Sequence, residues 1–317
     1  MSKKTANHIL LALKGATMGA ADVIPGVSGG TIAFITGIYE ELLLTVKNIP
    51  AAFKYLIKNK FDITGFWRNF NGNFLCALLF GIALSFLSLA RLMTWLLEHH
   101  PIPVWSFFFG LIMASVWFVL KDIKKWKVSY FVSLLAGMLS GYMVTILGKS
   151  QTPDGMWFIF ISGALAICAM ILPGISGSFI LLLIGKYNFM LAAINAMNFR
   201  IILVFMLGAV TGLISFSHFL SWLLKKYHNI TIAFLGGIMF GSLNKIWAWK
   251  QTVETITTAK GETVSLVEKN ILPDTYSEIT GLSAQIPHAI TMAAIGFSLI
   301  FIVDGVASRI KKSKINT

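Results

Sequence analysis

Long apolar runs, separated by short polar connections, fill most of the sequence. A helix needs about 20 apolar residues to cross a hydrocarbon core roughly 30 Å thick, and several runs reach about that length. The predicted full spans are residues 73–97, 102–120, 128–147, 200–224, 230–249 and 285–306. The pattern therefore predicts an all-α polytopic membrane protein.

Two further apolar segments, residues 7–46 and 156–194, are interrupted near their middle by proline, glycine and serine. Proline removes a backbone donor and neighbouring glycines loosen a helix, so regular helix is not expected there. We predict that each segment is a re-entrant hairpin, with two helical halves around a non-helical tip. The sequences of the two tips are Pro25-Gly26-Val27-Ser28-Gly29-Gly30 and Pro173-Gly174-Ile175-Ser176-Gly177-Ser178.

The two tips are one motif that occurs twice, because each proline is followed by glycine, a β-branched apolar residue, serine and glycine, and Pro173 follows Pro25 by 148 residues. Further matched pairs extend the similarity beyond the motif: Gly37 with Gly185, Tyr39 with Tyr187, Gly81 with Gly208 and Trp95 with Trp222. The chain is therefore predicted to consist of two copies of one unit, a first repeat at 1–147 and a second at 148–317.

A basic and aromatic stretch at residues 47–72 occurs only in the first copy. Such a composition favours the membrane surface, so we predict an interfacial helix at about residues 50–70. In the second copy, the polar segment 250–284 is predicted to be an outer loop that forms a flexible cap or a small hairpin.

Each copy combines one re-entrant hairpin with three spans, so each copy crosses the membrane an odd number of times and the second copy must be inverted. The charge distribution agrees, because the segments predicted on one side contain 17 Lys and Arg residues, against 7 on the other side. Basic residues accumulate in cytoplasmic loops, so both termini are predicted to be cytoplasmic. Inverted-topology repeats with broken helices are typical of secondary transporters.

Composition narrows the function classes further. Charged residues make up 12% of the chain, where soluble domains contain about 25%, so no soluble domain is expected. The net charge of +13 is spread over the connections, which argues against nucleic-acid binding. Cys76 and Cys168 lack the spacing of a metal site or a disulfide framework, and no metal or cofactor is expected. The histidines are scattered, so the catalytic cluster of a phosphatase is missing and an enzyme is not predicted.

The two tips are chemically suited to bind an anion. Their small residues leave successive backbone N–H groups free and their hydroxyls add donors, an arrangement that commonly binds phosphate. Alternatively, the glycines only allow helices to pack closely. The candidate substrate contacts are Pro25, Gly26, Ser28, Gly29, Gly30 and Thr31 in the first tip, and Pro173, Gly174, Ser176, Gly177 and Ser178 in the second.

Ionisable residues inside apolar segments are costly and therefore indicate function. Arg91, matched by His218 in the second copy, is a candidate to bind a phosphate, and its alternatives are snorkelling to the interface or pairing with Glu98. Asp22 precedes the first tip and is a candidate for coupling to a proton or sodium ion. Its alternative is to cap a helix or to pair with Lys14.

Further candidates flank the broken segments. Glu40 and Glu41 follow the first tip and are alternative coupling groups, unless they only mark the cytoplasmic interface. Lys186 and Arg200 flank the second hairpin, where they either attract an anionic headgroup or anchor helix ends. The secondary substrate candidates are His218, Lys186, Arg200, Tyr39 and Tyr187.

The sequence of residues 22–41, DVIPGVSGGTIAFITGIYEE, together with that of residues 172–187, LPGISGSFILLLIGKY, resembles the bacterial polyprenyl-phosphate transporter family. The resemblance covers essentially the whole chain. It implies that the chain returns undecaprenyl phosphate, the lipid carrier of cell-wall synthesis, from the outer to the inner leaflet of the bacterial cytoplasmic membrane. It also implies that the motif residues contact the substrate. Ser178 and Phe179 replace Gly30 and Thr31 in the second copy, so equal roles for the two tips do not follow.

The residues alone also allow a channel or permease for a small soluble anion, which would use the same tips. The two hypotheses differ in the access that they require. A lipid substrate requires a lateral opening between helices, whereas a soluble anion requires only a central path.

Overall fold

Helices dominate the computed structural model, which describes residues 3–22, 28–121, 123–148, 152–257 and 263–315. The first predicted repeat contains α1 (Lys3–Asp22), α2 (Gly29–Ile35), α3 (Tyr39–Lys58), α4 (Ile63–Asn69), α5 (Gly72–His99), α6 (Pro101–Leu120) and α7 (Val128–Ile146). The second contains α8 (Met156–Ile171), α9 (Gly177–Leu183), α10 (Tyr187–Asn195), α11 (Phe199–Lys226), α12 (His228–Ser242), α13 (Pro273–Thr280) and α14 (Ile286–Ile315). An antiparallel hairpin of β1 (Lys250–Thr257) and β2 (Thr263–Asn270) occupies part of the predicted loop 250–284.

Each broken segment contains three helices rather than the two halves predicted. After the break, α2 and α9 are only seven residues long. The chain then bends by 117° into α3 and by 105° into α10. Gly37 and Gly185 lie in these bends with φ of +70° and +69°. Residues that carry a Cβ adopt this left-handed backbone conformation only under strain. Matched glycines of the two copies therefore make matched bends.

The predicted interfacial helix at about residues 50–70 is divided into two helices. Lys60 and Phe61 adopt positive φ in the turn between α3 and α4. Asp62 then caps α4, because its carboxylate accepts a hydrogen bond from the N–H of Gly65 at 3.0 Å. A capping side chain at this position favours a new helix start over continuation of α3.

Of the described helices, α6, α7 and α11 are long and apolar enough to cross a membrane by length and composition. Three bent pairs qualify when each is taken as one span: α2 with α3, α4 with the first part of α5, and α9 with α10. The predicted span 73–97 lies within α5, and the predicted span 285–306 lies within α14 except for its first residue, Gln285. The predicted span 230–249 is too long, since α12 ends at Ser242 and a 3-10 turn follows at Leu243–Ile246.

The helices pack in matching pairs. Within the repeats, α1 packs along α5 and α8 packs along α11; between them, α6 packs on α14 and α7 packs on α12. Glycine permits the closest crossings, because a Cβ on Gly81 would overlap the carbonyl oxygen of Ala12 and one on Gly208 would overlap that of Phe160. Both contacts occupy matched positions of the predicted copies. Close approach through small residues is a common mode of helix association in membranes.

The two breaks lie in the interior of this helix assembly. Ser28 and Thr31 are fully buried, and α2 contacts both α6 and α8. Ile112 of α6 and Met239 of α12 belong to the same buried cluster. The packing thus brings the first break against the second copy.

Candidate functional site

The two breaks contact each other through hydrogen bonds. The Ser28 hydroxyl accepts from the N–H of Gly30 at 3.1 Å, which caps α2, and donates to the carbonyl oxygen of Met170 at 2.9 Å. The Thr31 hydroxyl accepts from the N–H of Gly174 at 2.8 Å. Hydroxyls of the first break therefore pair directly with the backbone around the second break.

Tyr39 adds a third bond between the two copies. Its hydroxyl donates to the carbonyl oxygen of Ile171 at 3.1 Å, and its buried ring packs edge-on against Phe34. Ile171 is the last residue of α8, and the last carbonyls of a helix have no partner within it. The first copy thus supplies hydrogen-bond partners that the interrupted helix of the second copy lacks.

Asp22 and Lys14 hold opposite ends of α2. The N–H of Gly29 donates to a carboxylate oxygen of Asp22 at 2.6 Å, which is the contact expected of the capping alternative. Lys14 donates to the carbonyl oxygen of Thr36 at 2.7 Å, directly after α2. A negative group near the start of a helix and a positive group near its end are both favourable. Two polar side chains of α1 therefore fix the position of α2.

Three of the predicted substrate contacts fall, entirely or by their side chain, outside the part of the chain that the structure describes. Pro25 and Gly26 lie outside the described residues. Arg91 belongs to α5, and its side chain lies outside the described part of the structure. His218, its matched residue in α11, is exposed, and a ring nitrogen lies 2.9 Å from the carbonyl oxygen of Ile214.

The second break differs from the first. Ser176 precedes α9 as Ser28 precedes α2, yet its hydroxyl pairs with that of Ser178 at 2.8 Å. Ser176 is buried, together with Pro173 and Gly177, whereas Ser178 is exposed. The second break therefore presents a hydroxyl outside the protein interior.

Lys186 is bound within the chain. Its ammonium group forms an ion pair with Asp154 at 2.5 Å and donates to the carbonyl oxygen of Thr152 at 2.9 Å. The Lys186 side chain is 3% exposed and lies beside the rings of Phe158 and Phe189. These contacts tie the segment before α8 to the start of α10.

The remaining flanking candidates lie at the surface. They are Tyr187, Arg200, Glu40 and Glu41. Glu40 lies 3.7 Å from His228, and Glu41 accepts from the side-chain amide of Asn71 at 2.9 Å. The glutamates thus contact other surface side chains rather than the breaks. Throughout the described part of the chain, no three metal-ligating side chains come together.

A cation that the sequence analysis missed lies beside the second break. Lys245, in the 3-10 turn after α12, lines a narrow cleft with Ser176, Phe179 and Ser242. Its ammonium group lies 5.0 Å from the centre of the Phe179 ring, a cation–π distance. The sequence did contain a signal, since a lysine inside the predicted span 230–249 would be costly in a membrane.

An apolar cavity of about 610 Å³ lies between α6, α7 and α12, beside this cleft. Leu139, Tyr142 and Phe240 contribute to its lining and are themselves exposed, so the cavity opens to the protein surface along α7 and α12. The side-chain amides of Asn244 and Asn270 also line it. The volume lies within the usual range of ligand pockets.

Comparison with known proteins agrees with the resemblance seen in the motifs. A family model described as undecaprenyl phosphate translocase-like matches residues 18–264. A polyprenyl-phosphate transporter of Vibrio cholerae is 46% identical over 309 residues, which are 98% of this chain and 100% of the relative. A polyprenyl-phosphate transporter of Staphylococcus aureus is 34% identical over 250 residues, 73% of this chain and 83% of the relative. No solved structure matches the chain.

Apolar helices, paired breaks and transporter relatives together define a multi-pass membrane protein. Within that class, the chain belongs to the undecaprenyl phosphate translocase-like family. The family predicted from the doubled motif is thereby confirmed.

Proposed function

We propose that the chain translocates undecaprenyl phosphate from the outer to the inner leaflet of a bacterial cytoplasmic membrane and so recycles this carrier for cell-wall polymer synthesis. The observation that carries the proposal is the contact between the breaks, where the N–H of Gly174 binds the Thr31 hydroxyl in the buried interior. Relatives named polyprenyl-phosphate transporter favour a lipid over a small soluble anion as the substrate.

The proposed orientation places both termini in the cytoplasm and inverts the second repeat relative to the first. The matching pairs α1 with α5 and α8 with α11 support two copies of one unit. The excess of Lys and Arg on one predicted side supports cytoplasmic termini. In this orientation the breaks enter from opposite sides and meet in the interior.

Transport proceeds by alternating access at the contact between the breaks. The hydrogen bonds of Ser28, Thr31 and Tyr39 across this contact each contribute only about 1 kcal/mol, so the two breaks separate from each other at modest cost. Separation frees these hydroxyls to donate to phosphate oxygens. Hydrogen bonds to a charged group are stronger than the neutral bonds that they replace. The headgroup therefore stabilises the separated state.

Asp22 couples this cycle to a proton or sodium ion. Its carboxylate lies at the first break, where it accepts from the N–H of Gly29 at 2.6 Å. A second negative group nearby is repelled by a charged carboxylate, whereas a protonated or cation-bound carboxylate exerts little repulsion. Uptake of the ion by Asp22 thus favours entry of the phosphate.

The test is a transport assay in vesicles that contain the purified full chain and undecaprenyl phosphate in both leaflets. A soluble phosphatase added outside dephosphorylates only the lipid that it can reach. We expect it to consume nearly all of the lipid when the protein is present and only the outer-leaflet share in protein-free vesicles.

A parallel vesicle preparation contains trapped inorganic phosphate. Release of inorganic phosphate without translocation of the lipid would favour the soluble-anion permease and reject the proposed function. Translocation of the lipid without phosphate release would support it.

A further inference from the structure

Charge and apolar volume are adjacent at the second break. The cleft on one side contains Lys245 with Ser176 and Phe179. The apolar cavity on the other side has a volume of about 610 Å³ and includes Tyr142 and Phe240 in its lining. A cation next to an apolar cavity is complementary to an amphiphile that carries one anionic group.

Asparagine side chains form the boundary between cleft and cavity. Asn244 lines the cavity and donates to the hydroxyl of Thr145, which lines the cleft, at 2.8 Å. Asn270, at the end of β2, donates to the carbonyl oxygen of Asn244 at 2.6 Å. The β-hairpin therefore holds in place the 3-10 turn that carries Lys245.

We propose that Lys245 binds the phosphate of the transported lipid and that the adjacent cavity holds the first part of its polyprenyl chain. The inference rests on the proposed function and adds a binding residue to it. Ser28 and Thr31 at the first break are fully buried and bonded within the chain, whereas Ser178 at the second break is exposed. An incoming headgroup therefore meets the second break first.

The position of Lys245 also indicates which leaflet of the membrane the proposed site faces. The proposed orientation places the β-hairpin outside, so Lys245 and the cavity face lipid from the outer leaflet. At the matched position the first copy has Phe118, which carries no charge. The first copy instead has Lys121 three residues further on, with its ammonium group 3.8 Å from the centre of the Phe118 ring, so the cations of the two copies are displaced along the sequence relative to each other.

The test measures the binding of undecaprenyl phosphate and of undecaprenol, which lacks the phosphate, to the purified full chain in detergent. Lys245→Met is expected to weaken binding of undecaprenyl phosphate about tenfold or more, because a charge-assisted bond is lost. Its affinity for undecaprenol should change by no more than about twofold. Lys245→Arg keeps the positive charge and should retain most of the affinity.

Lys226→Met is the matched control, because Lys226 also lies over aromatic rings but at the end of α11. It should bind both lipids as the parent does. Lys245→Gln serves as the neutral variant if Lys245→Met does not fold. Leu139→Trp narrows the cavity and should weaken binding of both lipids by similar factors.

The outcomes separate this inference from the proposed function. Unchanged affinity of the neutral Lys245 variants for undecaprenyl phosphate overturns the role of Lys245. Unchanged affinity of Leu139→Trp for both lipids removes the cavity from the site. A parent protein that binds neither lipid overturns the proposed function itself, and the inference with it.

Discussion

Hydroxyl groups at the first break replace the partners that an unbroken helix would give to the second break. The carbonyl oxygens of Met170 and Ile171 and the N–H of Gly174 all bond to side chains of the first copy. Each such group would be costly if left unpaired in hydrocarbon. Ser28 and Thr31 therefore stabilise an interruption that the second copy cannot stabilise alone.

Replacing Thr31 by Val is expected to destabilise the protein by about 1–3 kcal/mol, because the buried N–H of Gly174 loses its acceptor while the side-chain shape is kept. Thr31→Ser should retain most of the stability. Thr211→Val is the control, since the Thr211 hydroxyl bonds to its own helix at an exposed position. Equilibrium unfolding in mixed micelles measures the difference, and equal losses for Thr31→Val and Thr211→Val would contradict it.

Asp22→Asn separates capping from ion coupling. The asparagine side-chain oxygen can still accept from the N–H of Gly29, so the start of α2 should remain intact. The variant cannot take up a proton at this site. We therefore expect it to bind undecaprenyl phosphate measurably while its transport no longer responds to an imposed ion gradient. Transport that follows the gradient as in the parent would assign Asp22 to capping alone and direct the search to Glu40 or Glu41.

The doubled motif predicted where the helices break because proline and glycine act on the backbone locally. It did not predict the partners of Thr31 or Tyr39, since those depend on how α2 packs against α8. Lys245 was missed for a related reason. The apolar run continues past Ser242, and composition alone does not show that the chain there tightens into a 3-10 turn.

At the scale of single elements, the start of α4 depends on one titratable side chain. The N–H of Gly65 and the hydroxyl of Tyr55 both donate to Asp62, and these bonds hold the pKa of Asp62 below its ordinary value. A carboxyl with a lowered pKa stabilises the folded form above its unfolded pKa of about 3.9, and that contribution is lost as the pH falls through the folded value.

Acidification from about pH 6 to about pH 3 should therefore loosen α4 in the parent. Asp62→Asn keeps an acceptor for the Gly65 N–H but does not titrate, so its α4 should respond less. Hydrogen exchange of residues 63–69, compared between parent and variant at each pH, measures this difference. Identical pH profiles for the two proteins would show that Asp62 does not control the start of α4.

Glycines at bends and glycines at helix crossings are required for different reasons, the first for backbone conformation and the second for space. Gly37 has no neighbour within reach of an added Cβ, so Gly37→Ala should cost only the backbone strain of about 1–2 kcal/mol. At Gly81 the added carbon overlaps the backbone of Ala12, which no rotamer change relieves. Gly81→Ala should therefore force α5 away from α1 and lower the thermal stability more than Gly37→Ala. The opposite ranking in thermal unfolding would contradict the close crossing.

Apolar run length was sufficient to predict the long helices, because burial in lipid requires helices of a set length. It was insufficient for α2 and α9, since seven residues are too few to show a helical period. The match of Gly37 with Gly185 was visible in the sequence. Their positive φ was not, because it depends on the direction of the helix that follows each glycine. The division between α3 and α4 was missed similarly, although Asp62 is a typical capping residue.

At the scale of the whole molecule, the two copies are interlocked rather than adjacent. The helix α6 packs on α14 of the other copy, and α7 packs on α12. Motif spacing predicted the repeat but not these pairings. Matched residues identify equivalent positions in the two copies, but they do not indicate which helices are in contact. The interlocking gives each half a share of the same interface, as the proposed cycle of alternating access requires.

Whether the two copies have the same or opposite orientations in the membrane can be tested by comparing the accessibility of matched positions. Tyr39 aligns with Tyr187, and the same distance beyond them lie Asn48 and Ala196. Both are exposed from the protein and lie just beyond the predicted hairpins 7–46 and 156–194, where a reagent is expected to reach a cysteine. Copies of equal orientation place the two positions on one side of the membrane, whereas inverted copies place them on opposite sides.

Cysteine labelling in intact cells therefore decides between the two orientations. The native Cys76 and Cys168 are first replaced by serine, since Cys76 is exposed and would react. With cytoplasmic termini and an inverted second copy, a membrane-impermeant maleimide should label Ala196→Cys from outside and should label Asn48→Cys only after the membrane is permeabilised. The excess of basic residues around residue 48 favours the cytoplasm for that position. Labelling of both cysteines from the same side would exclude inverted repeats, and with them the proposal that the breaks enter from opposite leaflets.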